Sequence, residues 1–165
     1  MRFAPAAAAL SLCLAMSASV LSAGAGQAPD PRAALLIAQG RAALQAGETQ
    51  AATDAFEAAL TVDPGYTPIF IDLAEAARQQ GLQGKAIRYY REALAREPGN
   101  FAAISGEGAA LVEKGAVEKA KRNLAKLQSL CGDACPETVA LQSSIARGVP
   151  ARLAVEGKGD GAASN

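Results

Sequence analysis

The chain has 165 residues, half of them apolar, with 16 basic and 16 acidic side chains, no tryptophan and no histidine. That length predicts one small domain. Formal neutrality and the lack of any long lysine/arginine run exclude the linear charge footprint that phosphate backbones and anionic membranes attract, so nucleic acid is not expected as a partner.

The missing histidine removes the usual side-chain base near neutral pH and the commonest metal ligand. No nucleophile elbow, glycine-rich phosphate loop or HExxH pattern takes its place. Catalysis, a cofactor and a bound metal are therefore not expected.

Residues 1–25 read as a secretory signal peptide. Arg2 makes a basic start, Ala6 to Val20 is apolar, and Ala23-Gly24-Ala25 offers small residues at both recognition positions. Alanine and serine make the stretch only weakly hydrophobic, so cleavage after Ala25 is expected rather than retention as an anchor, and no stable membrane insertion remains. Residues 26–32 form a short linker that ends in a helix cap, with Asp30 before Pro31.

A block of 34 residues then occurs three times without interruption, over 33–66, 67–100 and 101–134. Gly47, Gly81 and Gly115 mark the phase, as do Ala52, Ala86 and Ala120, while Pro64 and Pro98 close the first two blocks. Each block reads as two antiparallel helices, the first terminated by its glycine as a left-handed C-cap. Thr67 before Pro68 and Asn100 before Phe101 take the N-cap role in the second and third blocks.

Close approach of the two helices needs a small residue on each. Gly40, Ala74 and Gly108 supply it on the first helices; Ala52, Ala86 and Ala120 supply it on the second. Larger side chains fill the remaining gaps, pairing Leu36 with Phe56, Phe70 with Tyr90, and Ile104 with Leu124. Block three departs from the pattern with Gly132 for the closing proline, Leu127 for a small residue and Glu107 at an apolar position.

This pattern resembles the tetratricopeptide repeat (TPR). The resemblance implies an all-α, right-handed solenoid of three helix hairpins, whose terminal block is free to be atypical. Residues 135–148 are expected to add a capping helix, opened by Pro136, closed by Gly148, and carrying Leu141 and Ile145 on one face. Residues 149–165 are glycine-rich and polar, and are expected to form a disordered tail.

Cys131 and Cys135 flank a turn between the last repeat and the capping helix. An even pair in an exported chain points to a disulfide, and four residues of separation can bring the Cα atoms within the span of about 4.4–6.8 Å that such a bond accepts. Two thiols without another soft ligand make an incomplete zinc site. The Leu-Cys-Gly-x-x-Cys ending is similar to that of short exported TPR proteins of Gram-negative bacteria, which implies a periplasmic location and a role in envelope assembly or maturation.

In TPR arrays the first helices line a concave groove, and the resemblance places Ile37, Arg41 and Leu44, then Ile71, Glu75 and Arg78, then Ser105, Ala109 and Val112 in it. Gln45, Gln79 and Glu113 follow on the rim. The lysine/asparagine clamp that some TPR domains use for a terminal carboxylate has no counterpart, since its positions hold Ile37, Arg41, Ile71 and Glu75. Arg41 and Arg78 either bind a carboxylate of the partner or stand solvated or paired with Glu75.

The expected function is non-catalytic binding of a protein or peptide ligand in this groove. Two alternatives stay open: a self-assembling homo-oligomeric scaffold, and a thiol-disulfide or metal-handling protein using Cys131 and Cys135.

Overall fold

Gly47, Gly81 and Gly115 adopt φ of +79°, +78° and +84°, a left-handed conformation that glycine enters without a steric cost. Each turns the chain between two helices with the same pair of hydrogen bonds. Gly47 N donates to Leu44 O and Glu48 N to Ala43 O, and the equivalents join Gly81 to Arg78, Leu82 to Ala77, Gly115 to Val112 and Ala116 to Leu111. These are Schellman caps, and they satisfy carbonyls that the helix ends would otherwise leave bare.

The structure, a computed structural model, describes residues 28–148. The expected signal peptide (1–25) and tail (149–165) lie outside those residues. Seven helices follow in order: α1 Pro31–Gln45, α2 Thr49–Val62, α3 Pro68–Gln79, α4 Gln83–Arg96, α5 Phe101–Glu113, α6 Val117–Cys131 and α7 Pro136–Arg147. α1/α2, α3/α4 and α5/α6 are the three hairpins, stacked in sequence, and α7 covers the open side of the last.

Two of the three expected N-caps form. Asp30 accepts from Arg32 N at 2.8 Å and Asn100 accepts from Ala103 N at 2.9 Å. Thr67 does not cap α3: its backbone is already helical (φ −51°, ψ −39°), its side chain makes no capping bond and the residue is buried. The chain enters α3 through a tight turn, with Ile69 N bonding to Tyr66 O and Phe70 N to Thr67 O, so the first turn satisfies donors without a side-chain cap.

Packing explains the small residues. Ala52, Ala86 and Ala120 are fully buried, and a Cβ on Gly40 would overlap the Phe56 ring. Gly108 departs from its expected role. A Cβ there would overlap Leu141 of α7, so this glycine admits the capping helix rather than α6. Gly106 has an unforeseen role, because a Cβ there would overlap the ring of Tyr90 from the preceding block.

The atypical residues of block three find partners. Leu127 fills a cluster with Ile104 and Leu141. Glu107, nearly buried, accepts from Arg91 Nε at 2.7 Å and Asn123 Nδ2 at 3.0 Å, which offsets the cost of burying its charge. Cys131 ends α6 and Cys135 precedes α7, with Cα atoms 5.7 Å apart and their sulfurs in contact.

Leu141→Ala removes the buried anchor of α7 and is expected to cost about 2–5 kcal/mol by cavity formation. Val139→Ala, on the exposed side of the same helix, is expected to change stability by no more than about 0.5 kcal/mol. Urea unfolding of both variants checks the contrast.

Candidate binding groove

α1 packs on α3, α3 on α5 and α5 on α7, while α2, α4 and α6 make no comparable contacts with one another. A stack whose first helices meet and whose second helices stand apart must curve toward the first helices. The concave face is therefore built from α1, α3, α5 and α7.

Leu44 and Ile71 lie half-buried on this face, as expected for groove residues. Ile37 does not. It is only 4% exposed, held in the cluster with Phe56, Ile69 and Leu73, because α3 packs directly on α1 there. Ala109 and Val112 are also buried, at 8% and 2% exposure. α7 occupies the place that the first helix of a further block would take, and Gly108 lets it settle close to α5. Ser105 Oγ donates to Glu137 O at 3.0 Å across the same seam. The expected groove floor thus narrows beyond Ser105 to a recess of about 220 Å³, at whose base Ala109 and Val112 lie beside Arg78, Glu113 and Arg147, and α7 forms a wall.

A larger depression, of about 460 Å³, lies between α3, α5 and α7. Ile71, Glu75 and Tyr90 lie on one side; Pro136, Glu137 and Ala140 lie on the other. Gly106 deepens it by omitting a side chain where α5 crosses Tyr90.

Two arginines of this face, Arg41 and Arg78, are already engaged. Arg41 forks onto Asp72, with Nε–Oδ1 at 3.1 Å and Nη2–Oδ2 at 2.8 Å. Arg78 bridges Glu75, at 2.8 Å, and Glu113 of the next block. Burial opposes the Arg78 charge, but the Glu113 hydrogen bond and the Glu75 and Glu113 carboxylates outweigh it and hold the guanidinium's pKa above its ordinary value. The Tyr90 hydroxyl donates to Glu75 at 3.2 Å. Burial first, and the Glu75 charge second, push its ionisation upward, so the phenol stays a neutral donor.

These pairings leave carboxylates in excess: Asp72, Glu75, Glu113 and Glu137 face Arg41 and Arg78. Of the two readings open for the arginines, pairing within the fold is the one the structure displays, and Glu75 is one of the partners. Asp72, Tyr90 and the α7 wall were missed from the sequence. For Asp72 a signal existed, because a carboxylate in the first helix of the next block is adjacent to Arg41 once the blocks are stacked. Tyr90 gave no polar signal, since it occupies a packing position.

The geometry defines a solenoid of helix hairpins with a concave face. The family model for the tetratricopeptide repeat matches residues 67–100. The first TPR domain of Spaghetti (RPAP3), solved bound to the HSP90 peptide SRMEEVD, superposes with a TM-score of 0.64 at 21% identity, over 74% of this chain and 97% of that one. The Sgt2 TPR domain from Aspergillus fumigatus gives 0.64 at 23% identity, over 84% and 88%. The Yersinia enterocolitica type III secretion chaperone SycD, in complex with a peptide of the translocator YopD, gives 0.60 at 20% identity, over 69% and 86%. No curated protein matches the chain. The tetratricopeptide-repeat model thus matches the middle block by sequence, and the described residues share the fold of tetratricopeptide-repeat domains.

Burial raises the Asp72 carboxyl's pKa above its ordinary value, against the Arg41 hydrogen bond and charge that lower it. The folded chain therefore holds this proton more tightly than the unfolded chain. The group's contribution to stability is present at low pH and is lost as pH rises through its titration. Asp72→Asn is expected to leave stability at neutral pH within about 1 kcal/mol of the parent, because the Arg41 partner is half exposed. Urea unfolding from acid to neutral pH should show the parent losing ground to the variant.

Proposed function

We propose that the chain is an exported, non-catalytic interaction module of the periplasm that holds a segment of a partner protein in the groove of α1, α3 and α5 against the wall of α7. The observation that carries this reading is the open depression between Ile71, Tyr90, Pro136 and Ala140, an apolar-edged slot on the concave side of a repeat array. Two of the structurally similar proteins, the TPR domain of Spaghetti and the secretion chaperone SycD, were solved with a peptide bound. A role in envelope assembly or maturation accords with the expected signal peptide.

The excess of carboxylates shapes the ligand. A terminal carboxylate in this depression would meet Glu75 and Glu137, while Arg78, the arginine that lines it, is already paired. An extended or helical segment with apolar side chains for Leu44 and Ile71, entering as uncharged or cationic surface, fits better.

The cysteine pair belongs to the scaffold in this reading. The Cα separation of 5.7 Å suits a disulfide that ties the end of α6 to the start of α7, the helix that walls the groove. An oxidising compartment would keep it formed. Cys131→Ser with Cys135→Ser is expected to lower stability by about 2 kcal/mol, since the closed loop is short. Thermal unfolding with and without reductant checks this, and reductant should not shift the double variant.

For the groove, a photo-crosslinker placed at Ala140 in cells is expected to give a discrete protein adduct in the envelope fraction. Leu44→Asp with Ile71→Glu should abolish the adduct while leaving the helical circular-dichroism signal intact. A crosslinker at Glu57, exposed on α2, should give none. Adducts that survive the double substitution would remove the groove as the binding site.

A further inference from the structure

The second helices carry a charge pattern that the groove does not use. Lys85, Arg88 and Arg91 lie three residues apart and form one stripe along α4. Lys119 and Arg122 repeat the first two at 34-residue spacing on α6. The solenoid therefore sets the two stripes on neighbouring rungs of the face opposite the groove. Block one breaks the series, with Ala51 and Asp54 at the equivalent positions.

Between the stripes lies a recess of about 210 Å³. Ile87 and Leu111, both buried, lie beneath it with half-buried Ala116, and Arg88, Arg91, Lys114 and Lys119 stand around it. Gly84 opens one end toward Leu82, an exposed leucine. Among the described residues, Arg91 has a carboxylate partner, Glu107, whereas Arg88, Lys114 and Lys119 have none. Of the nearby acids, Glu92 is committed to Arg96 and Glu118 to Lys121, and Glu107 is taken up by Arg91 and Asn123.

Like charges on adjacent rungs repel, and a chain with equal numbers of acids and bases had the composition to neutralise them. An anionic occupant would relieve that repulsion, and Leu82, exposed at the Gly84 end, gives it an apolar contact that a bare charge patch lacks. We propose that the recess between α4 and α6 is a second docking site, distinct from the groove, that takes an acidic segment of a partner protein bearing spaced aliphatic side chains. Exposed Leu82 beside Gly84 and Lys114 favours such a peptide over a polyphosphate backbone, which has no apolar side chain to place on it.

This site does not rest on the groove reading, and one experiment separates them. The purified full chain is titrated with a labelled glutamate-rich peptide carrying spaced leucines. Binding is expected, weakening as salt rises, and Arg88→Glu with Lys119→Glu should reduce affinity by about tenfold or more. The helical signal of that variant is checked, and Lys119→Arg should retain binding. The groove variant Leu44→Asp with Ile71→Glu should bind the peptide as the parent does. No binding by the parent, or binding indifferent to Arg88→Glu with Lys119→Glu, overturns the proposal. Tighter binding of a single-stranded oligonucleotide or an anionic vesicle through the same residues also overturns it, in favour of that class of ligand.

Discussion

Helices with a glycine opposite a large side chain set the distances on which this structure depends. Gly40 yields to Phe56, Gly106 to Tyr90 and Gly108 to Leu141, and in each case a single added methyl would collide with a buried side chain. The first contact closes a hairpin, the second stacks one hairpin on the next, and the third seats α7. Packed interiors tolerate neither voids nor overlap, so these glycines determine helix separation as firmly as the large residues do. The inner layer of first helices follows from them, and with it the curvature that makes a groove.

Function in this fold comes from what that packing leaves uncovered. α7 buries Ala109 and Val112 and shortens the groove, but in exchange Pro136, Glu137 and Ala140 become its wall. The turn that begins this helix follows Cys135, so the proposed disulfide and the proposed ligand site share one element. A groove closed on one side holds a short segment better than an open arc, because less of the ligand must be ordered to reach two surfaces.

A chain of balanced charge also becomes a molecule with distinct faces. The groove collects carboxylates around two engaged arginines, α2 carries Asp54 and Glu57 without a cation, and α4 with α6 carries the lysine and arginine stripes. None of these is a run in the sequence. Each arises because residues 34 positions apart are brought side by side, and composition averages them away.

Much of the architecture was legible in the residues. The 34-residue phase, the three turn glycines, the buried alanines at 52, 86 and 120, and the caps at Asp30 and Asn100 all follow from local backbone geometry and repeat spacing, which a sequence states directly. Thr67 misled because a capping residue type is not a capping geometry. Ile37, Ala109 and Val112 misled for a different reason, since a groove position is open only if no neighbouring helix lies over it.

By itself, then, the sequence determined which segments are helices, where they turn, and that they stack as repeats, because each depends on interactions within a few residues or at one constant spacing. Only the tertiary structure decided which groove positions stay exposed, that Arg41 belongs to Asp72 and Arg78 to Glu75 and Glu113, and that unpaired cations gather around an apolar recess. Exposure, ion pairing and local potential depend on distances between separate helices, and those are set by side-chain packing across the whole array.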